Sequence, residues 1–134
     1  MAVLAVATSL LLGAEWGDPV GVALLVVVGV LAAMAVMALI ATFATTAEQA
    51  GTIGAIVAMV LGMVGGSFFP VAEAGGLIEQ LSLLTPHAWF LRALGDLRGG
   101  GGVEDILPAI GAILVFAAGT GVIALLRHKR LVQA

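Results

Sequence analysis

Cysteine is absent from this 134-residue sequence, and charge is scarce. Without cysteine there is no disulfide, no thiol nucleophile and no thiolate metal site. Charged residues make up 10% of the chain, against about 25% in an ordinary soluble domain. That is too few to cover a soluble surface. The net charge of −3 and the lack of a large basic cluster argue against nucleic acid as a partner. No HExxH or GxSxG motif occurs, and no pair of carboxylates lies inside an apolar run, so the common routes to a membrane-embedded enzyme are missing. The four glycines at 99–102 precede no Lys-Ser or Lys-Thr, so they are a flexible link and not a phosphate loop. No cofactor and no metal are expected. The first residues lack the positive n-region of a secretory signal and read as a spanning helix entered partway along.

What the chain has in abundance is apolar length. Hydrophobic residues reach 62% and the mean hydropathy is +1.24. Residues 20–44, 50–69 and 105–126 are runs of about 20 residues or more without charge in their interiors, and about 20 helical residues cross a hydrocarbon core of about 30 Å. Residues 1–14 are apolar but too short to cross, so they are either a partial span or an interfacial segment, and a partial span is the reading adopted. The expected fold is therefore an all-α membrane protein with three full transmembrane helices and a partial N-terminal one. The whole chain forms one transmembrane domain. Trp16, in the turn Glu15-Trp16-Gly17-Asp18-Pro19, suits a membrane–water interface. Thr46 and Gln49 have the spacing of a capping box at the start of the next helix, and Glu48 is a solvated first-turn carboxylate.

The stretch 50–98 departs from a plain span. Gly51, Ala55, Ala58, Gly62 and Gly66 recur every three or four residues and form one face suited to close helix packing. The pairs Gly29/Ala33 and Ala117/Gly121 have the same character. A corner then ends the helix at Gly65, Gly66, Phe68, Phe69 and Pro70. Freed backbone groups at that depth must be covered by protein or by a wet cavity. Residues 70–98 supply the cover as an external, re-entrant or amphipathic helical hairpin. Leu77, Ile78, Leu81 and Leu84 share one helical face, with Glu79 and Gln80 turned away. Thr85 and Pro86 restart the chain as a capping hydroxyl and a first-turn proline. Trp89, Phe90, Ala93, Leu94 and Leu97 form a second stripe. His87 reads as a polar first-turn residue, because no second ligand stands near it. Arg92 either pairs with Asp96 one turn on or is solvated.

The last span closes on Arg127-His128-Lys129-Arg130. By the positive-inside rule Arg127, Lys129 and Arg130 anchor a cytoplasmic tail, residues 127–134. Counting back, the hairpin lies outside, 45–49 inside and 15–19 outside. The absence of charge in the spans argues against a proton- or ion-coupled carrier.

These features together resemble the C-terminal half of an ABC-2-type transporter permease, the membrane subunit of a bacterial ABC exporter. The matching signatures are Glu48-Gln49-Ala50 opening a span, Gly65-Gly66-Ser67-Phe68-Phe69-Pro70 closing it, Leu81-Ser82-Leu83-Leu84-Thr85-Pro86-His87-Ala88-Trp89 after it, and the basic tail. The resemblance implies a plasma-membrane, multi-pass subunit that pairs with a second permease copy and with an ABC ATPase subunit. It implies efflux of an amphipathic drug, lipid or glycan, with membrane lipid around it and ATP hydrolysis in the partner. The family's N-terminal amphipathic helix, first two spans and coupling region have no counterpart here, so the chain reads as a partial permease. The alternative is a small integral membrane protein with an interaction or assembly role and no transport activity.

Overall fold

The computed structural model describes residues 16–68 and 76–133, with side chains through Lys129. The partial span expected at 1–14, and Phe69 and Pro70 of the corner, lie outside the described residues. The described residues are all-helical. The helices are α1 (Pro19–Ala41), α2 (Ala47–Val64), α3 (Gly76–Ser82), α4 (Pro86–Arg98) and α5 (Val103–Gln133). α1, α2 and the Val103–Lys129 part of α5 are long and apolar enough to cross a membrane. At about 1.5 Å per residue, α3 and α4 rise only about 10 and 20 Å and cannot.

Local chemistry sets each boundary. Asp18 caps α1, its carboxylate accepting from the amides of Val20 and Gly21 at 3.1 and 3.3 Å, and Pro19 occupies the first turn, where its missing N–H costs nothing. α1 ends at Ala41, three residues before the apolar run does. The amides of Thr42 and Phe43 turn back to Leu39 and Ile40, and the Thr42 hydroxyl donates to Leu39 O at 2.7 Å. At α2 the Thr46 hydroxyl accepts from the Gln49 amide at 3.1 Å. The reciprocal arm differs from a standard capping box, because Gln49 Oε1 accepts from the amide and hydroxyl of Thr45, one residue further back.

α2 ends at Val64, well before the apolar run does. Gly66 adopts φ 86°, while the Ser67 and Gly66 amides donate to Gly62 O and Met63 O. This is a Schellman closure, which favours glycine at the left-handed position. The four-glycine run is likewise not slack. Gly100 takes φ 91°, and Gly101 and Gly100 donate to Asp96 O and Leu97 O, capping α4. Asp105 then reaches back to the Gly102 amide at 2.8 Å as α5 begins. α5 continues through the basic cluster to Gln133, since cations complement the negative end of a helix dipole. Pro108 stands six residues into α5, so the one amide bond it removes falls near the first turn.

The core joins α1, α4 and α5. Leu25, Val28 and Ala32 meet Ala93 and Leu97, and Ile106, Ile110 and Ile113, all buried at helical spacing. α1 and α5 pack along their lengths, and α4 wedges against both. α2 stands more apart, with only 11% of its apolar window buried. Large apolar side chains remain exposed around the bundle, among them Val27, Met34, Ile56, Met59, Val115 and Leu125.

Small residues do not all pack as their spacing suggests. Gly51, Ala55 and Ala58 are exposed within the chain. The inward face of α2 is turned toward Gly54, Gly62 and Gly65, and a Cβ on Gly54 would lie 2.8 Å from the sulfur of Met37. In α1, Gly29 admits the Phe90 ring of α4, to which an added Cβ would come within 3.1 Å.

Candidate functional site

The hairpin of α3 and α4 is held by its own polar groups. The Ser82 hydroxyl donates to Glu79 O at 2.7 Å, and the Thr85 hydroxyl donates to Ser82 O at 2.8 Å. Thr85 Oγ1 also accepts from the Ala88 amide at 3.4 Å, capping α4 with Pro86 in its first turn. Trp89 Nε1 donates to Leu83 O at 2.8 Å, so the indole ties α4 to the turn between the two helices. Arg92 does not pair with Asp96. Its Nη2 lies 3.3 Å from Glu79 Oε1, across the hairpin, and its guanidinium stands 5.9 Å from the Trp89 ring centroid. Both partners are more than a third exposed, so this pair contributes at most about 1 kcal/mol.

The α2 corner meets the start of α4. Gly65 is buried, and a Cβ there would clash with Cβ of His87 and lie 2.7 Å from Thr85 Oγ1. Glycine is required by proximity, because its φ of −77° is open to any residue. Phe68 is exposed and folds back over Gly62. At the same end of the bundle, Gly17 rests against the Leu97 carbonyl.

Below this corner, α1, α2 and α4, with Ile113 of α5, leave a crevice of about 370 Å³. Its lining includes Val30, Ala33, Met37, Ala58, Leu61 and Phe90, and among the described residues His87 alone brings a polar side chain to it. The imidazole is half-buried and makes no hydrogen bond: Nδ1 is fully buried without a partner. Burial holds the group below the usual histidine value of 6.5, because the charged form would lose its water. His87 is therefore neutral at pH 7.

At the opposite end, Arg127 of α5 closes on the α1–α2 connection. Its guanidinium stands 3.8 Å from the Phe43 ring centroid, and Nε donates to Thr42 Oγ1 at 3.2 Å. Lys129 is exposed and stands near this end. The side chain of Arg130 lies outside the described part.

The structure thus brings Gly65, Thr85, Pro86 and Phe90 to one end of the molecule, beside or above the crevice. Gly66 closes the corner, Trp89 braces the hairpin, and Arg127 sits at the far end. Glu79, His87 and Phe43 carry contacts that sequence reading did not assign. For His87 a signal existed, since it stands three residues before Phe90 on the same α4 face. Among the described residues no group of His, Asp and Glu could hold a metal. The crevice can accommodate an uncharged apolar body, and it contains no acid–base pair for chemistry.

A family model described as ABC-2 type transporter matches residues 1–96. The match takes in α1, α2, α3 and most of α4, and leaves α5 to its own hydropathy. No curated protein and no solved structure matches the chain.

Proposed function

The chain belongs to the ABC-2 type transporter family, and from that premise we propose that it is a transmembrane subunit of an exporter powered by a separate ATPase. Family membership makes it a multi-pass membrane protein with a transport permease role. The proposal adds the partners, the orientation and the class of cargo. The observation that carries the membrane setting is the belt of large exposed apolar side chains on α1, α2 and α5. Such a surface in water would be an aggregation site, and in lipid it is matched.

Orientation follows from which groups share an end. Arg127 and Lys129 stand at the end that also carries Thr42 and Phe43. Gly65, Thr85 and His87 stand at the other. If the basic end is cytoplasmic, then the C-terminus lies inside and the hairpin of residues 70–98 lies outside, re-entering the outer leaflet. Gly65, Gly66 and Phe68 then belong to the corner on which the hairpin rests. Thr85, Pro86, Trp89 and Phe90 hold the hairpin over the crevice, and Arg127 and Lys129 anchor the inner end. The cargo is amphipathic, a drug, lipid or glycan-bearing lipid, because the faces on offer are apolar and uncharged. ATP hydrolysis belongs to a partner ATPase, and a second permease copy completes the pathway against the largely uncovered α2.

The test is capture of the detergent-solubilised chain, tagged at its C-terminus, from its native membrane, followed by mass spectrometry of its companions. Co-purification of an ABC ATPase together with a permease copy is expected. Recovery of well-folded chain with neither would overturn the exporter reading in favour of an interaction or assembly role without transport.

A further inference from the structure

The crevice differs from a simple gap between helices in one respect, the imidazole on its wall. Its 370 Å³ falls in the range of small-molecule sites, about 300–1,000 Å³, and is more than twice the roughly 150 Å³ that admits a benzene ring. Among the described residues the lining has no charged side chain, and apart from His87 its side chains are apolar. His87 makes no hydrogen bond at either nitrogen. Nδ1 is fully buried, whereas Nε2 is unpaired and not fully buried. A ring nitrogen left unpaired beside an apolar space costs free energy until something meets it.

We propose that this crevice binds a neutral lipid alcohol, its apolar body along Val30, Ala33, Met37 and Leu61 and its hydroxyl on Nε2 of His87. The chemistry selects this class in three steps. The uncharged wall rejects a carboxylate, a phosphate or an ammonium, whose desolvation nothing there would offset. The volume and apolar lining favour a hydrocarbon body. The hydroxyl is the group that fits Nε2 whichever nitrogen bears the proton, because it both donates and accepts. Burial of the imidazole keeps it neutral at pH 7, which again favours a neutral ligand. The inference rests on the permease reading only for its membrane setting. It concerns binding, and the bound molecule need not be cargo.

The chain is reconstituted in phosphatidylcholine vesicles at pH 7.5 with three photoreactive probes of equal length: a long-chain alcohol, the corresponding alkane and the corresponding carboxylate. Labelled residues are mapped by mass spectrometry. The alcohol is expected to label the crevice about fivefold more than the alkane at equal membrane concentration, the ratio one net hydrogen bond gives, and the carboxylate least. His87→Phe should abolish the preference for alcohol while leaving alkane labelling, and His87→Gln should restore part of it. Ala58→Phe, which fills the crevice, should remove labelling by both. Equal labelling by alcohol and alkane, or a preference that survives His87→Phe, overturns the proposal. Retained alkane labelling shows that a variant is folded. Loss of the alcohol preference alongside intact ATPase capture refutes the site and not the permease, and the reverse result refutes the permease and not the site.

Discussion

Gly65→Ala forces the α2 corner and the start of α4 apart. An added Cβ would stand 2.7 Å from Thr85 Oγ1 and 2.8 Å from Leu61 O, and would clash outright with His87 Cβ. Ordinary contact begins at about 3.5 Å, so a separation of about 1 Å is needed, and the rigid cap at Thr85 and Pro86 cannot yield by rotating a side chain. Overpacking of this kind costs about 1–3 kcal/mol. Because the φ of Gly65 is −77°, alanine also gains about 0.4–1 kcal/mol by restricting the unfolded chain. The net expectation is a loss of about 1–2 kcal/mol. Gly51→Ala is the matched control. It lies in the same helix with no atom within 4 Å of its would-be Cβ, so only the gain of about 0.5–1 kcal/mol applies. Equilibrium unfolding in mixed micelles, followed by helical circular dichroism, reads both. Opposite signs support the corner-on-hairpin contact. A Gly65→Ala chain as stable as the parent would refute it.

Asp18→Ala removes two amide caps from α1 and should cost about 1 kcal/mol by the same unfolding measurement. Arg92→Ala should change stability by less than about 1 kcal/mol, because the pair with Glu79 is exposed; a larger loss would mean the hairpin depends on it. The depressed His87 pKa makes the folded chain bind fewer protons than the unfolded one once the unfolded imidazole begins to titrate. Stability should therefore be flat above pH 6.5, fall as pH drops below it, and level off beneath the folded value. His87→Phe should flatten that segment of the profile, and an unchanged slope would assign it elsewhere.

The spans were legible because hydropathy and length decide them together, although α1 and α2 end at Ala41 and Val64, before their apolar runs do. The start of α4 was legible in Thr85 and Pro86 because capping is local chemistry between neighbours. What local reading missed lies between elements. Arg92 found Glu79, thirteen residues away, instead of Asp96 one turn on, because α3 folds back beside α4. Of the small-residue stripe on α2 only Gly62 is buried within the chain, since spacing alone does not say which neighbour sets the inward face. The glycine run at 99–102 looked slack and is a helix cap, a distinction made by φ and hydrogen bonding. The crevice could not be read at all, because four separate helices line it and its wall residues are individually unremarkable.

Single cysteines in this cysteine-free chain offer the most direct test of the central claim, that one end of the bundle carries an external hairpin and the other a cytoplasmic basic anchor. Leu84→Cys and Asp96→Cys report the hairpin, Ala47→Cys and Lys129→Cys the other end; all four positions are exposed. In intact cells a membrane-impermeant maleimide should label the first two, and the second two only after permeabilisation. Labelling of Lys129→Cys in intact cells, with Leu84→Cys protected, would invert the topology and contradict the account.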